Sequence, residues 1–115
     1  MAQPKVKIDV RSPTEGLRIL DIRGEITGSA EEALFAAYEP AGSHAKTIVL
    51  NLSEVQSIDS FGIGLLITLL ARVRSQKQRL LAYGLSEPCR RAFELTHLDE
   101  AVGLYTDEAE ALGGL

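Results

Sequence analysis

The sequence has little cysteine, few clustered basic residues and no long apolar run, and each scarcity excludes a class of protein. Because Cys89 is the single cysteine, the chain cannot be a disulfide scaffold, and we expect this thiol to be buried and structural. The 12 basic residues are outnumbered by 16 acidic ones, for a formal net charge of −4. A dedicated nucleic-acid-binding protein needs clustered lysine and arginine, so no nucleic acid is expected as a partner. The basic residues that do gather lie at the predicted carboxyl end of a helix, where cations complement the helix dipole: Arg72, Arg74, Lys77 and Arg79.

The longest apolar stretch covers residues 63–71 and is interrupted by Thr68, so it is far too short to span a bilayer. Residues 1–5 show no signal-peptide pattern and lead directly into an alternating stretch. We therefore expect a cytoplasmic protein, or a soluble module cut from a longer one, with no membrane partner.

Motifs for cofactors and metals are also missing. Neither the glycine pattern of dinucleotide-binding sites nor that of P-loops occurs in the chain. His44, Cys89 and His97 are too dispersed to resemble a metal site, and no local histidine supports a serine nucleophile. The sequence thus predicts no enzyme activity, no metal and no cofactor.

Five segments have the patterns of β-strands. Apolar and polar residues alternate from Val6 to Val10, which is typical of a half-exposed strand, and residues 17–26 predict a second strand. In that second strand we expect Leu20, Ile22 and Ile26 to face inward. Residues 47–52 are apolar without alternation, which predicts a central strand covered by helices. Residues 80–85 and 101–105 complete the set.

Four segments between and after these strands predict helices. Ser29 and Glu32 have the spacing of a capping box, so a helix is expected over residues 29–39, ended by Pro40 and Gly42. A long helix is predicted over residues 61–76, a third after Ser86 to residue 98, and a short one from residue 107 to residues 113–114. The order β-β-α-β-α-β-α-β-α predicts one α/β sandwich domain over residues 1–115, with a mixed, mostly parallel sheet.

The junction Asp59-Ser60-Phe61-Gly62 lies where the central strand gives way to the long helix. Aspartate and serine are preferred helix N-caps, which is the plain structural interpretation. The same free N–H groups and helix dipole would also accept a phosphate, so a modified Ser60 would be tolerated there.

Two glycines in the first turn of this helix require an explanation, because each costs about 1 kcal/mol relative to alanine. Gly62 and Gly64 could allow close packing on the sheet, or they could form a smooth surface for a partner; the residues alone leave both open. Glu25 and Asp59 are placed at predicted strand ends, either as an acid-base pair or as ordinary surface acids.

At this point the chain resembles a known family. The residues that carry the resemblance are Asn51-Leu52-Ser53, Val55, Ile58-Asp59-Ser60-Phe61-Gly62-Ile63-Gly64, Gly24-Glu25-Ile26 and Phe93-Glu94-Leu95-Thr96-His97-Leu98. Together they are similar to STAS domains, which occur in anti-sigma-factor antagonists and in sulphate-transporter tails. The resemblance implies a protein-binding module whose partner is an anti-sigma factor that is also a serine kinase. In that group, phosphorylation of the domain ends binding, and ATP belongs to the partner.

Two positions depart from the common antagonist pattern. Phe61 occupies the usual acceptor position, so the local sequence resembles a stressosome-type branch in which the acceptor corresponds to Ser60. Thr27 stands where the family usually has aspartate. The resemblance therefore implies Ser60 as the candidate phosphoacceptor and the following partner-binding residues: Thr27, Asp59, Phe61, Gly62 and Gly64.

Two alternatives remain open from the sequence. In the first, the domain is a constitutive scaffold in which Ser60 is only an N-cap. In the second, it senses a nucleotide or another small molecule in a crevice near Glu25, Thr27 and Asp59.

Overall fold

The computed structural model describes residues 6–39, 45–113 and 115, which form a five-stranded sheet with helices on both faces. The strands lie side by side in chain order, and β1 is antiparallel to β2 while all other neighbours are parallel. Their bounds are β1 Val6–Arg11, β2 Leu17–Ile26, β3 Thr47–Ile58, β4 Arg79–Tyr83 and β5 Gly103–Tyr105.

The helices are α1 Glu31–Tyr38, α2 Ser60–Ser75, α3 Glu87–Leu95 and α4 Glu108–Leu112, with short 3₁₀ turns at Gly28–Ala30 and Leu98–Glu100. The order of elements and the mixed, mostly parallel sheet confirm the predicted α/β fold. None of these helices is both long and apolar enough to cross a membrane.

The three crossover helices share one face of the sheet. Because parallel crossovers are right-handed and each new strand is added on the same side, α1, α2 and α3 fall on the same face. Their buried residues, such as Leu34, Leu69 and Phe93, form one core with the inward side chains of the strands. Leu20, Ile22 and Ile26 belong to that core, as predicted.

The opposite face of the sheet is covered in part by α4. Ala111 of this helix packs with Ile19, Val49 and Leu81 in a second, smaller core. The central position of β3 is confirmed, since Val49 faces α4 while its neighbours Ile48 and Leu50 face the crossover helices, all three almost fully buried.

A polar network ties α4 to the sheet beside that second core. The Arg11 guanidinium donates to Asp21 Oδ2 at 2.5 Å and to Glu108 Oε1 at 2.5 Å. The Tyr83 hydroxyl donates to the same Glu108 oxygen at 2.8 Å, and Asn51 Nδ2 donates to Asp21 Oδ1 at 2.7 Å. The hydrogen bonds from Arg11 hold the pKa values of Asp21 and Glu108 below their usual range. Burial, and then the bond to Glu108, raise the pKa of Tyr83 to about 12.

Strand β3 is longer than predicted. It continues to Ile58 rather than ending at Leu52, and this second half pairs only with β2, through two register shifts. Pairing with β4 ends at Asn51, so the extra residues project beyond the neighbouring strand. Their side chains are mixed, with Val55 buried and Ser53 exposed, and such irregular pairing hides the strand period from the sequence.

The capping box predicted at Ser29 is wrong. Thr27, rather than Ser29, is the capping residue, since Thr27 Oγ1 accepts from Ser29 N at 3.3 Å and begins a 3₁₀ turn. Helix α1 then starts at Glu31 with no side-chain cap. The predicted stop at Pro40 and Gly42 lies outside the described residues.

Other boundaries differ by a few residues for backbone reasons. Gly84 has a φ of +77°, which ends the extended conformation of β4 at Tyr83 rather than at residue 85. Likewise His97, with a φ of 61°, separates α3 from a 3₁₀ turn, so α3 ends at Leu95 rather than at residue 98. Val102 N still donates to Leu98 O at 2.9 Å, which delays β5 to Gly103.

The amino-terminal cap of α4 is confirmed. Asp107 Oδ1 accepts from Glu110 N at 2.8 Å, and Glu110 Oε1 accepts from Thr106 N at 2.9 Å. The helix ends at Leu112, and Gly113 follows it.

Candidate functional site

The candidate site lies where β2 and β3 end side by side. Ile26 and Ile58 are partners in the parallel ladder, and Asp59 N donates to Ile26 O at 3.2 Å. The chain leaving β2 at Thr27 and the chain entering α2 at Asp59 therefore emerge together at the carboxyl edge of the sheet, where ligand sites of α/β proteins commonly form.

Asp59 is the N-cap of α2. Its backbone is extended, with φ −91° and ψ −177°, and its Oδ1 accepts from Gly62 N at 2.8 Å. This satisfies one of the amide groups that a helix start leaves without a partner. Ser60 is consequently the first residue of the helix, one position earlier than predicted, and the alternative in which Ser60 itself is the N-cap is wrong.

Ser60 presents its hydroxyl to solvent. The residue is exposed, and over the described ranges 6–39 and 45–113 its hydroxyl makes no hydrogen bond. The first turn of α2 contains no acidic residue after the Asp59 cap. The hydroxyl is therefore free to react and stands beside the positive end of a 16-residue helix.

Phe61 is 73% exposed, so it is an outward-facing aromatic residue rather than part of the core. It lies beside the turn after β2, because a Cβ placed on Gly28 would be 3.5 Å from Phe61 Cβ. Its ring is therefore available for contact with another molecule.

The two glycines of α2 differ. A Cβ on Gly62 would lie 2.0 Å from Ile26 O, so this buried glycine permits the close approach of α2 to the end of β2. A Cβ on Gly64 would meet nothing within 4 Å, and this residue is exposed. Packing therefore explains Gly62, whereas only Gly64 contributes open surface.

The outer face of α2 carries no charge over its first three turns. Its exposed residues before the first basic one, Arg72, are Ser60, Phe61, Gly64, Ile67, Thr68 and Ala71. We call these six residues the α2 face. Sequence reasoning missed Ile67, which is 49% exposed, and Ala71. The sequence does contain a signal for them. No charged residue occurs from Ser60 to Ala71, although 24% of the chain is charged, so every face of this part of the helix had to be uncharged.

The two acids at the strand ends, Glu25 and Asp59, have different surroundings. Glu25 lies in β2 and accepts from Ser57 Oγ at 3.5 Å, while the Asp59 carboxylate caps α2. Thr27 Oγ1 and Ser29 Oγ are 2.8 Å apart, so a neutral pair of hydroxyls stands where the sequence resemblance implied an aspartate.

An open groove of about 610 Å³ runs between α1 and α2 beside Phe61. Its lining includes three carboxylates, from Glu31, Glu32 and Glu39, and a single cation, Arg72. Arg72 is already paired with Glu39, and its guanidinium lies 4.4 Å from the centroid of the Phe35 ring. This charge balance disfavours a phosphate-bearing ligand in the groove.

Metal ligation finds no support in the described parts of the chain, which contain no cluster of three histidine, cysteine, aspartate or glutamate residues. Cys89 is fully buried, as predicted, and His97 is an exposed residue after α3 that pairs with Glu100. His44 lies outside the described residues.

Comparison with known proteins gives the family. A family model described as "Mlab, STAS domain" matches residues 9–106. The chain belongs to the STAS-domain family. The match includes both Thr27 and the α2 face, so the candidate site lies within the matched residues.

A sequence relative and two structural neighbours carry the name anti-sigma factor antagonist. The relative, a Thermotoga neapolitana protein named as a homologue of an anti-sigma factor antagonist, is 37% identical over 65 residues, covering 56% of this chain and 58% of the relative. The chain thus spans little more than half of that relative's length.

Among solved structures, an anti-sigma factor antagonist from Mycobacterium paratuberculosis has a TM-score of 0.82 at 23% identity. The match covers 98% of this chain and 96% of the Mycobacterium chain. The anti-sigma factor antagonist SpoIIAA in its unphosphorylated form has a TM-score of 0.77 at 20% identity. The match covers 95% of this chain and 98% of the SpoIIAA chain. The same protein from Bacillus has also been solved in a phosphorylated form. At these identities the structural neighbours establish the STAS fold.

Proposed function

We propose that this STAS domain is a regulatory protein-binding module that binds an anti-sigma factor with serine kinase activity through the α2 face. The observation that carries the proposal is the uncharged α2 face, headed by an exposed hydroxyl and an exposed phenylalanine. The names of the relatives support the class of partner. The domain supplies a hydroxyl and a docking surface, and the partner supplies ATP and the catalytic groups.

Phe61 is the proposed anchor of the interface. Complete burial of such a side chain contributes about 1.5–3 kcal/mol, and aromatic residues are enriched among the residues that dominate binding energy. Gly64 has no side chain and Ala71 has only a methyl group, so a partner helix or loop can approach the backbone of α2 closely at these positions. Ile67, half exposed, adds apolar area one to two turns along the same face.

Phosphorylation of Ser60 is the proposed switch. A phosphate would add about −1.5 to −2 charges next to the Asp59 carboxylate. The helix start would tolerate the phosphate, so the fold would persist. The α2 face, however, would no longer be uncharged, and its burial against the partner would require desolvation of the phosphate. Binding is therefore expected to end when the kinase has acted.

Two further functions are less well supported. A constitutive scaffold would use the same α2 face without a switch, and the exposed Ser60 hydroxyl argues for the switch. A nucleotide sensor would need cations or free amide groups near Thr27, whereas the adjacent groove is lined by glutamates. Isothermal titration calorimetry with ATP and ADP is expected to give no binding heat with the isolated domain.

The decisive experiment is affinity capture from the native cells with four tagged variants. Ser60→Asp and Phe61→Ala should lose the kinase partner, while Ser60→Ala should retain it. Leu95→Ala is the matched control, because Leu95 is a similarly exposed apolar residue on α3, 75% exposed. Incubation of the wild type with the purified partner and ATP should add one phosphoryl group by intact mass, and Ser60→Ala should abolish that addition.

Equal capture of the partner by Phe61→Ala and by the wild type would refute the α2 face as the docking surface. Retained capture by Ser60→Asp, together with an unmodified mass after incubation with the kinase, would refute the switch and favour the scaffold.

A further inference from the structure

The side of β1 that faces away from β2 is an open edge of the sheet, and we call it the β1 edge. In the described parts of the chain, β1 is first in the strand order and pairs with β2 alone. The other border of the sheet is β5, which has only three residues, and very short edge strands resist the addition of a further strand. β1 has six residues, no proline and no register shift against β2, so it lacks that protection.

The backbone of β1 has unused hydrogen-bonding groups along this edge. In an antiparallel pair every second residue directs its N–H and C=O to the partner strand, and the residues between direct theirs outward. Within residues 6–39 and 45–113, no hydrogen bond joins the outward groups of Val6–Arg11 to another segment. An added extended segment can therefore bond to them and continue the sheet.

Two charged side chains of β1 lack an opposite charge. Lys7 lies opposite Arg23 and Asp9 lies opposite Asp21, so each faces a like charge across the ladder, which is unfavourable. Arg23 and Asp21 have ion partners of their own, whereas Lys7 and Asp9 form no ion pair in the part of the chain that is described. A segment added on the free side of β1 would supply an opposite charge to both.

The other face of β1 is apolar and only partly covered. Val6 and Ile8 are half-buried against the main core, and Val10 is 45% exposed. Since side chains alternate along a strand, these three residues share the face that α1 covers.

Helix α1 leaves an apolar shelf above the β1 edge. Phe35 and Glu39 line the groove on the side of α1 that faces α2. At about 100° per residue, Ala33 and Ala37 lie on the opposite flank of the helix, and both are half-buried. Because alanine has only a methyl group, the side chains of an added segment would have room between this flank and β1.

A second copy of the chain fits the β1 edge poorly. Two β1 strands paired edge to edge would lie about 4.8 Å apart. Because α1 packs over β1, the two α1 helices would approach to a similar separation, whereas packed helices need about 8–10 Å. A single extended segment carries no helix and avoids this clash.

We propose that the β1 edge binds an extended segment of a protein partner in which apolar residues alternate with one acidic and one basic residue. The acidic residue would lie opposite Lys7 and the basic residue opposite Asp9. The apolar residues would pack on Val10 and under the alanine flank of α1. A segment with two like charges would meet repulsion at one of the two positions.

The β1 edge and the α2 face are separate sites. Helix α1 lies over β1, and α2 lies beyond α1 over the later strands. A segment at the β1 edge therefore leaves Phe61 accessible, and this proposal does not rest on the proposed function of Ser60.

The test uses backbone amide NMR shifts of the full chain with capped five-residue peptides. The complementary peptide is valine-lysine-valine-aspartate-valine, which in antiparallel pairing places its lysine opposite Asp9 and its aspartate opposite Lys7. Two counterparts carry two lysines or two aspartates at the same positions. The complementary peptide is expected to shift the amides of Ile8 and Val10 and to leave that of Phe61 unchanged. Each like-charged peptide should bind about tenfold more weakly.

Charge reversal on β1 should reverse the peptide preference. Lys7→Asp should bind the two-lysine peptide best, and Asp9→Lys should bind the two-aspartate peptide best. Both side chains are exposed, so the fold should persist. The matched control is Lys77→Asp, which makes the same charge change at an exposed lysine between α2 and β4 and should keep the wild-type preference.

Three peptide results would overturn the proposal: no shift at Ile8 or Val10 with millimolar complementary peptide, equal shifts with all three peptides, or the same change of preference in Lys77→Asp as in Lys7→Asp. Sedimentation velocity of the free chain supplies a fourth. Dimerisation that Lys7→Asp abolishes would overturn the proposal, because a second copy would then occupy the β1 edge.

Discussion

Gly62 and Gly64 are two residues apart in α2, and the structure predicts opposite effects for the same substitution. In Gly62→Ala the new Cβ would lie 2.0 Å from Ile26 O, whereas ordinary contacts begin at 3.4 Å, so the helix start must move by about 1.4 Å (3.4 − 2.0). Ile26 O also accepts from Asp59 N, so this movement strains the link between β2 and α2.

The magnitudes follow from these contacts. Overpacking typically costs 1–3 kcal/mol, and alanine regains about 1 kcal/mol of helix propensity. Because the obstacle here is backbone rather than a flexible side chain, we expect Gly62→Ala to lose about 2 kcal/mol of unfolding free energy. Gly64→Ala meets nothing within 4 Å and should gain about 0.5–1 kcal/mol.

Urea denaturation followed by circular dichroism measures both changes. With a slope of about 2 kcal/mol per molar urea, the midpoints of the two variants should differ by about 1 M or more. A Gly62→Ala protein as stable as the wild type, or a Gly64→Ala protein less stable than it, would refute the packing argument. Partner capture adds a second readout: Gly64→Ala, although more stable, should bind less well if the α2 face is the docking surface.

Three further substitutions or conditions test other contacts. Asp59→Ala should cost about 1 kcal/mol because α2 loses its cap, and Asp59→Asn should restore most of it in the same urea assay. Because Arg11 lowers the folded-state pKa values of Asp21 and Glu108, the stabilisation is fully present above the ordinary carboxyl pKa range. It is lost as the pH falls below that range and through the lowered folded-state pKa values. The urea midpoints at pH 7 and pH 3 should therefore differ less in Glu108→Gln than in the wild type. Because the pair is exposed, its contribution to the unfolding free energy should be under about 1 kcal/mol. The raised pKa of Tyr83, about 12, predicts a late phenolate transition in an ultraviolet titration that Tyr83→Phe removes. An unchanged titration curve in that variant would contradict the assignment.

Much of the fold was predictable because it follows from local periodicity. Alternation in β1, the apolar run in β3 and the capping pattern at Asp107 are properties of neighbouring residues, and each was confirmed. The errors occur where distant chain segments decide the local structure. The second half of β3, for example, is a strand only because β2 pairs with it through two register shifts. The error at Ser29 is local instead, because Thr27, two residues earlier, takes the capping role.

The candidate site, too, was predictable only in part. The residue types and spacing of Asp59, Ser60 and Phe61 were enough to indicate a helix start with a hydroxyl beside it. The direction in which each side chain points depends on how α2 sits on the sheet.

The sequence by itself determined the order of strands and helices and the family, because these depend on the pattern of residues along the chain. Only the tertiary structure decided that Asp59 rather than Ser60 caps α2, that Phe61 faces solvent, and that Gly62 packs while Gly64 lies open. The physical reason is that exposure, close approach and charge pairing depend on contacts between segments far apart in the chain.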